Sequence, residues 1–130
     1  MANDKFWFFI EKELYEITIM LKDSLNLPQF YRDYENEWEW CESEEKNEGI
    51  YFDITREHNW EHGIYNCPVI LVIKKDGKVI SSQDEIENIA INIVNCLKVD
   101  VFYGIVTFLE DSKYSYDVKR KFNLDNIAGR

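Results

Sequence analysis

The sequence predicts an α+β domain: one mostly antiparallel sheet with two main helices, in the order α-β-β-β-β-α-β-β. Three observations point there. Two stretches repeat apolar residues at three- and four-residue spacing, residues 4–25 and 82–98. Several short stretches alternate apolar and polar residues or run as β-branched blocks, and these have the length of strands. Asp76-Gly77 sits between two such blocks, and Asp-Gly there signals a hairpin because the tight turn needs positive φ at both positions. At 130 residues, with no linker, repeat or low-complexity segment, the chain has the length of a single domain covering 1–130.

The first helix is expected over residues 4–25, where Phe6, Ile10, Leu14, Ile17 and Leu21 form an apolar stripe. Asn26 and Pro28 end it, since Asn tolerates the left-handed cap and Pro cannot continue the ladder. Residues 37–42 (EWEWCE) alternate strictly, which predicts a strand. Trp38 and Trp40 are expected on the buried face, with Glu37, Glu39 and Cys41 on an acidic outer one. Residues 50–56 (IYFDITR) alternate again and pair back, with Ile50, Phe52 and Ile54 inward. Residues 67–75 (CPVILVIKK) are the most apolar run and read as a central strand covered on both faces. Ser82-Gln-Asp-Glu85 is a capping box opening the second helix, in which Ser82 caps a backbone N–H and Glu85 reaches back. Residues 102–110 and 114–122 predict a last strand pair, with Lys119-Arg120-Lys121 suited to a protected edge.

Charge narrows the function. Asp and Glu number 25 and Lys and Arg 15, a net of −10. Residues 1–65 carry 16 acids and 6 bases, whereas residues 66–130 carry nine of each. Residues 35–61 alone hold ten acids against Lys46 and Arg56. Such a surface disfavours direct binding to nucleic acid or anionic membrane, which requires clustered cations. No apolar run reaches the roughly 18–20 residues of a membrane span. No signal peptide is evident, and Cys41, Cys67 and Cys96 are odd in number and widely spaced, so a cytoplasmic protein with reduced thiols is expected.

No catalytic signature stands out. His58 and His62 are four apart, but Asn59, Trp60 and Gly63 make the segment a loop and the zinc-protease pattern is absent, so no metal or other cofactor is expected. Cys67 and Cys96 read as small core residues, and Cys41, among glutamates, as a poor nucleophile. Glycine-rich phosphate loops and nucleophile elbows are missing. Trp60 and Tyr65 lie in a polar loop, where Trp packs into a core or anchors an interface.

The acidic run and the segment YFDITREHNWEHGIYNCPVILVI at 51–73 resemble the immunity proteins of bacterial toxin systems, the partners of contact-dependent growth inhibition and related polymorphic toxins. The resemblance is to the class and transfers no residue role by position. It implies a non-catalytic protein that binds and neutralises a cognate toxin, often a nuclease whose phosphate-binding cleft is basic. Glu37, Glu39, Glu42, Glu44, Glu45 and Glu48, with Trp60 and Tyr65, are the expected partner-binding residues. Two alternatives remain: a small metal-dependent hydrolase using His58 and His62, and an acidic mimic of nucleic acid that inhibits a DNA-binding protein.

Overall fold

Aromatic and β-branched residues dominate the strand-forming segments, and they assemble one antiparallel sheet. The computed structural model describes residues 4–44, 49–58, 60–61, 66–109 and 113–127. Glu45, Glu48, His62 and Tyr65 lie outside the described residues. The elements are β1 (Asp4–Phe8), α1 (Leu14–Leu25), β2 (Phe30–Glu35), β3 (Trp38–Ser43), β4 (Ile50–Glu57), β5 (Val69–Lys75), β6 (Lys78–Val79), α2 (Gln83–Leu97), β7 (Val101–Leu109), β8 (Lys113–Phe122) and α3 (Leu124–Ile127). Across the sheet the order is β2-β3-β4-β5-β1-β7-β8, with β6 pairing β5. The expected α+β class with a mostly antiparallel sheet and two main helices is what the chain forms.

The first element departs from expectation. Residues 4–8 are not the start of a helix but an interior strand, antiparallel to β5 on one side and β7 on the other. The Phe6–Ile10–Leu14 spacing is helical by coincidence; three successive buried aromatics, Phe6, Trp7 and Phe8, suit a strand covered on both faces. α1 keeps the rest of the predicted stripe, burying Leu14, Ile17 and Leu21, and ends at Asn26 in the left-handed conformation as expected. The linking backbone is held by Arg56, fully buried on β4, whose guanidinium donates to the carbonyls of Ile10 and Lys12. Strand β2, also unforeseen, pairs with β3 through a turn in which Asn36 has positive φ.

The hairpin and capping signals fare better. Asp76 and Gly77 both have positive φ, and Lys75 pairs with Lys78 across them. Ser82 caps α2 by accepting from the Glu85 N–H, but the Glu85 carboxylate turns to Lys75 rather than back to the cap. β5 is central, between β4 and β1, and β8 is an edge strand. Its cations pair with Asp4 (Lys119), Glu87 (Arg120) and Asp100 (Lys121).

Helices α1 and α2 pack against each other and against one face of the sheet. That face supplies Phe6 and Phe8, Phe52 and Ile54, Val69, Leu71 and Ile73, Val101 and Tyr103, which with the helices form the core. Directly paired residues in an antiparallel sheet point the same way, so the intervening residues form a second face that neither helix covers.

Candidate functional site: the uncovered face of the sheet

The pairing register places Trp38, Trp40 and Glu42 of β3 on this second face. With them are Asp33 and Glu35 of β2, Asp53, Thr55 and Glu57 of β4, Ile70 and Val72 of β5, Trp7 of β1, Phe102, Val106 and Phe108 of β7, and Tyr114 and Tyr116 of β8.

This reverses the expectation for β3. Glu39, Cys41 and Ser43 point toward the helices and are buried, while Trp38, Trp40 and Glu42 are half-buried on the far side. Alternation divides a strand into two sets without stating which set is covered. Burial of Glu39 is made possible by its partners. Arg32 donates to one carboxylate oxygen, and His58 Nε2 lies 2.9 Å from the other. Burial pushes the Glu39 pKa up, but the hydrogen bonds from Arg32 and His58 outweigh it and hold it below the ordinary carboxylate value. At 1% exposure Glu39 cannot face a partner and leaves the expected binding set. Cys41, expected on the outer face, is buried in the core, and burial raises its thiol pKa.

The uncovered face is not flat. Among the described residues, β7 pairs with β1 as far as Ile105, opposite Asp4; the hairpin continues beyond it to Leu109 and returns from Lys113. A bulge at Tyr103/Gly104 interrupts its register. A Cβ on Gly104 would stand 2.0 Å from the Asp117 carbonyl oxygen, so only glycine fits where the strands approach this closely. Bulges bend a strand and increase its twist. The far end of the hairpin lies over the face: Phe108 meets Trp38 edge-on at 5.9 Å between ring centroids, and the Tyr114 hydroxyl donates to Glu57 at 2.7 Å. Each contact spans three intervening strands, roughly 19 Å in a flat sheet, so the sheet must curl for them to form. Trp7, stacked on Phe102 and touching Tyr116, is buried beneath this arm without help from a helix.

Between the arm and the β4–β5 connection lies a cleft of about 570 Å³. Its walls carry Glu37, Glu57 and Glu61, the rings of Trp60, Tyr114 and Tyr116, and His58. Trp60 is 71% exposed, which excludes the core reading, and its ring is braced edge-to-face against His58. His58 is in turn held by buried Glu39. Burial, then the hydrogen bond to Glu57, raises the Tyr114 pKa, so this phenol stays a hydrogen-bond donor.

Of the expected binding residues, the structure therefore brings Glu37 and Trp60 together in the cleft. Glu42 sits elsewhere on the same face, where Tyr31 and Tyr51 both donate to its carboxylate. Glu44 is exposed just past β3, its N–H bonded to the Gln29 carbonyl. Glu57, Tyr114 and Tyr116 are additions that sequence reasoning missed. The alternating Tyr114-Ser-Tyr116 was a usable signal for two rings on one face, but nothing local says that they meet β4.

No protein-family model, curated protein or solved structure matches this chain. The fold and this face must therefore speak for themselves. Among the described residues, no three His, Cys, Asp or Glu side chains converge closely enough to hold a metal ion. No helix is long and apolar enough to cross a membrane.

Proposed function

We propose that this chain is a non-catalytic immunity protein, which binds a cognate bacterial toxin in the cytoplasm and neutralises it. The toxin is a nuclease with a basic active-site cleft. The observation that carries this reading is the asymmetry of the sheet. One face is closed by helices; the other carries exposed Asp33 and Glu35, the Glu42–tyrosine cluster and the three carboxylates of the cleft, interleaved with aromatic rings. Acidic groups beside Trp and Tyr suit protein recognition, because the carboxylates raise the encounter rate with a basic surface and the rings supply contact area. A nuclease must present such a basic surface to bind phosphate.

The test is to search the adjacent reading frames for a toxin domain and to co-express this protein with one found there. Protection of the cell, together with a stable complex on size exclusion, is the expected result. Continued killing in the presence of folded protein would reject the reading.

The Glu39–His58 pair favours a second reading, a hydrolase, because a carboxylate-oriented imidazole beside a cleft is a common general-base arrangement. His58→Gln keeps a donor for Glu39 but removes the base. Unchanged protection by this variant is expected for a binding protein, and its loss in a folded variant would favour the enzyme.

A further inference from the structure

The cleft beneath the β7–β8 arm has a composition that selects one kind of ligand. Its walls include three carboxylates, Glu37, Glu57 and Glu61, and the rings of Trp60, Tyr114 and Tyr116, beside His58 and a mixed remainder from Phe9 and residues 66–68. Its volume, about 570 Å³, lies within the range of roughly 300–1,000 Å³ typical of clefts that accept a ligand. The carboxylates are dispersed around the walls and do not converge as metal ligands do. The anionic field is thus spread over a space larger than a bare ion would fill. Exposed aromatic faces supply a second attraction for a cation, through the ring quadrupole.

Resting on the immunity reading above, we propose that this cleft receives an arginine side chain projecting from the basic surface of the partner protein. A guanidinium is planar and delocalised. It can stack on the exposed Trp60 ring while its fork of N–H donors reaches carboxylates on different walls; a lysine ammonium is a point charge and exploits only one wall at a time. The rim is pre-set for this. Trp60 is braced on His58, His58 on buried Glu39, and Tyr114 on Glu57, so the rings need little ordering when the ligand enters. With a net charge of −10, a second copy of this chain would be repelled by the acidic cleft, which makes it an unsuitable occupant.

The experiment uses the full chain, labelled with nitrogen-15, and follows the Trp60 indole N–H resonance, assigned by its disappearance in Trp60→Phe. The probes are N-acetyl-arginine N-methylamide, its neutral citrulline isostere, the lysine analogue and free L-arginine. Saturable shifts with the blocked arginine are expected, with binding about tenfold weaker for citrulline, the worth of a charge-assisted hydrogen bond. Lysine should also bind more weakly, as should free arginine, whose own carboxylate meets the acidic walls. Glu57→Gln retains an acceptor for Tyr114 and preserves the fold, and should weaken arginine binding by about tenfold on the same basis. Equal shifts with citrulline, or no saturable shift with the blocked arginine, would overturn the proposal. Lysine binding as well as arginine would overturn the guanidinium assignment, and tighter binding of free arginine would overturn its assignment to a protein side chain. Because no toxin is present, this assay can succeed while the co-expression test fails, and the reverse.

Discussion

The two faces of one sheet are buried by different means. On the covered face, α1 and α2 close over aliphatic and phenylalanine side chains, and most of those residues are inaccessible to solvent. On the uncovered face no helix is available, and burial comes from curling: a bent hairpin arm lays Phe108 and Tyr114 across to Trp38 and Glu57. The first mode is redundant, because each side chain has many neighbours. Among the described residues, the second shows ring contacts and the Tyr114–Glu57 hydrogen bond, and it leaves a cleft. Stability therefore belongs mainly to the first face, and the proposed recognition to the second.

The largest expected effect lies on the covered face. Phe52 is fully buried, and Phe52→Ala should cost about 3–5 kcal/mol of unfolding free energy in a denaturant titration, from lost transfer energy and a residual cavity. Trp38→Ala, although it removes a larger side chain, should cost only about 1–2 kcal/mol, because Trp38 is half-buried and solvent can fill the space. Equal losses would mean that the two faces are not different in kind.

Glu39 is the polar exception within the covered face. Glu39→Gln should cost about 1.5–3 kcal/mol at neutral pH, by weakening charged hydrogen bonds to Arg32 and His58. The sign with pH follows from the lowered pKa. The carboxylate's contribution is fully present above the ordinary value of 4.5 and is lost as pH falls through the lower folded value. Wild type should thus lose stability more steeply than Glu39→Gln on acidification below about pH 4.5, measured by denaturant midpoints at each pH.

Gly104→Ala acts on the device that separates the faces. The added Cβ meets the Asp117 carbonyl, and backbone must shift, at a cost of about 1–3 kcal/mol. The informative readout is local. The Trp38 and Trp60 indole resonances should move as the arm lifts, while the amides of α1 and α2 keep their hydrogen-exchange protection.

Much of this architecture was legible in the residues. The β4–β5 strands, the Asp76-Gly77 turn, the Ser82 cap and the α2 stripe are local patterns with local causes, and they appear where those patterns place them. The errors share a physical origin. β1 was hidden because Phe6, Ile10 and Leu14 mimic a helical stripe, and only pairing with β5 and β7 makes the segment a strand. The faces of β3 were inverted because Glu39 is buried by Arg32 from β2 and by His58 beyond β4, partners that alternation within EWEWCE does not reveal. The cleft was half legible: Glu37 was marked by charge and Trp60 by its polar loop, where core packing was the competing reading, but Tyr114 and Tyr116 join them on a distant hairpin that no local pattern places over β4.

The smallest effect on stability should accompany the largest effect on binding. Asp33, Glu35 and Glu37 are exposed, and reversing all three to lysine should change unfolding free energy by less than about 0.5 kcal/mol each. Stopped-flow association of this triple variant and of wild type with the toxin domain identified by the co-expression test, over a salt series, tests directly whether the uncovered face is the proposed docking surface. Wild-type association should be fast at low salt and slow steeply as salt rises, whereas the variant should start slow and respond little. Equal association rates for the two proteins at low salt would contradict the assignment and return the uncovered face to the role of a solubilising surface.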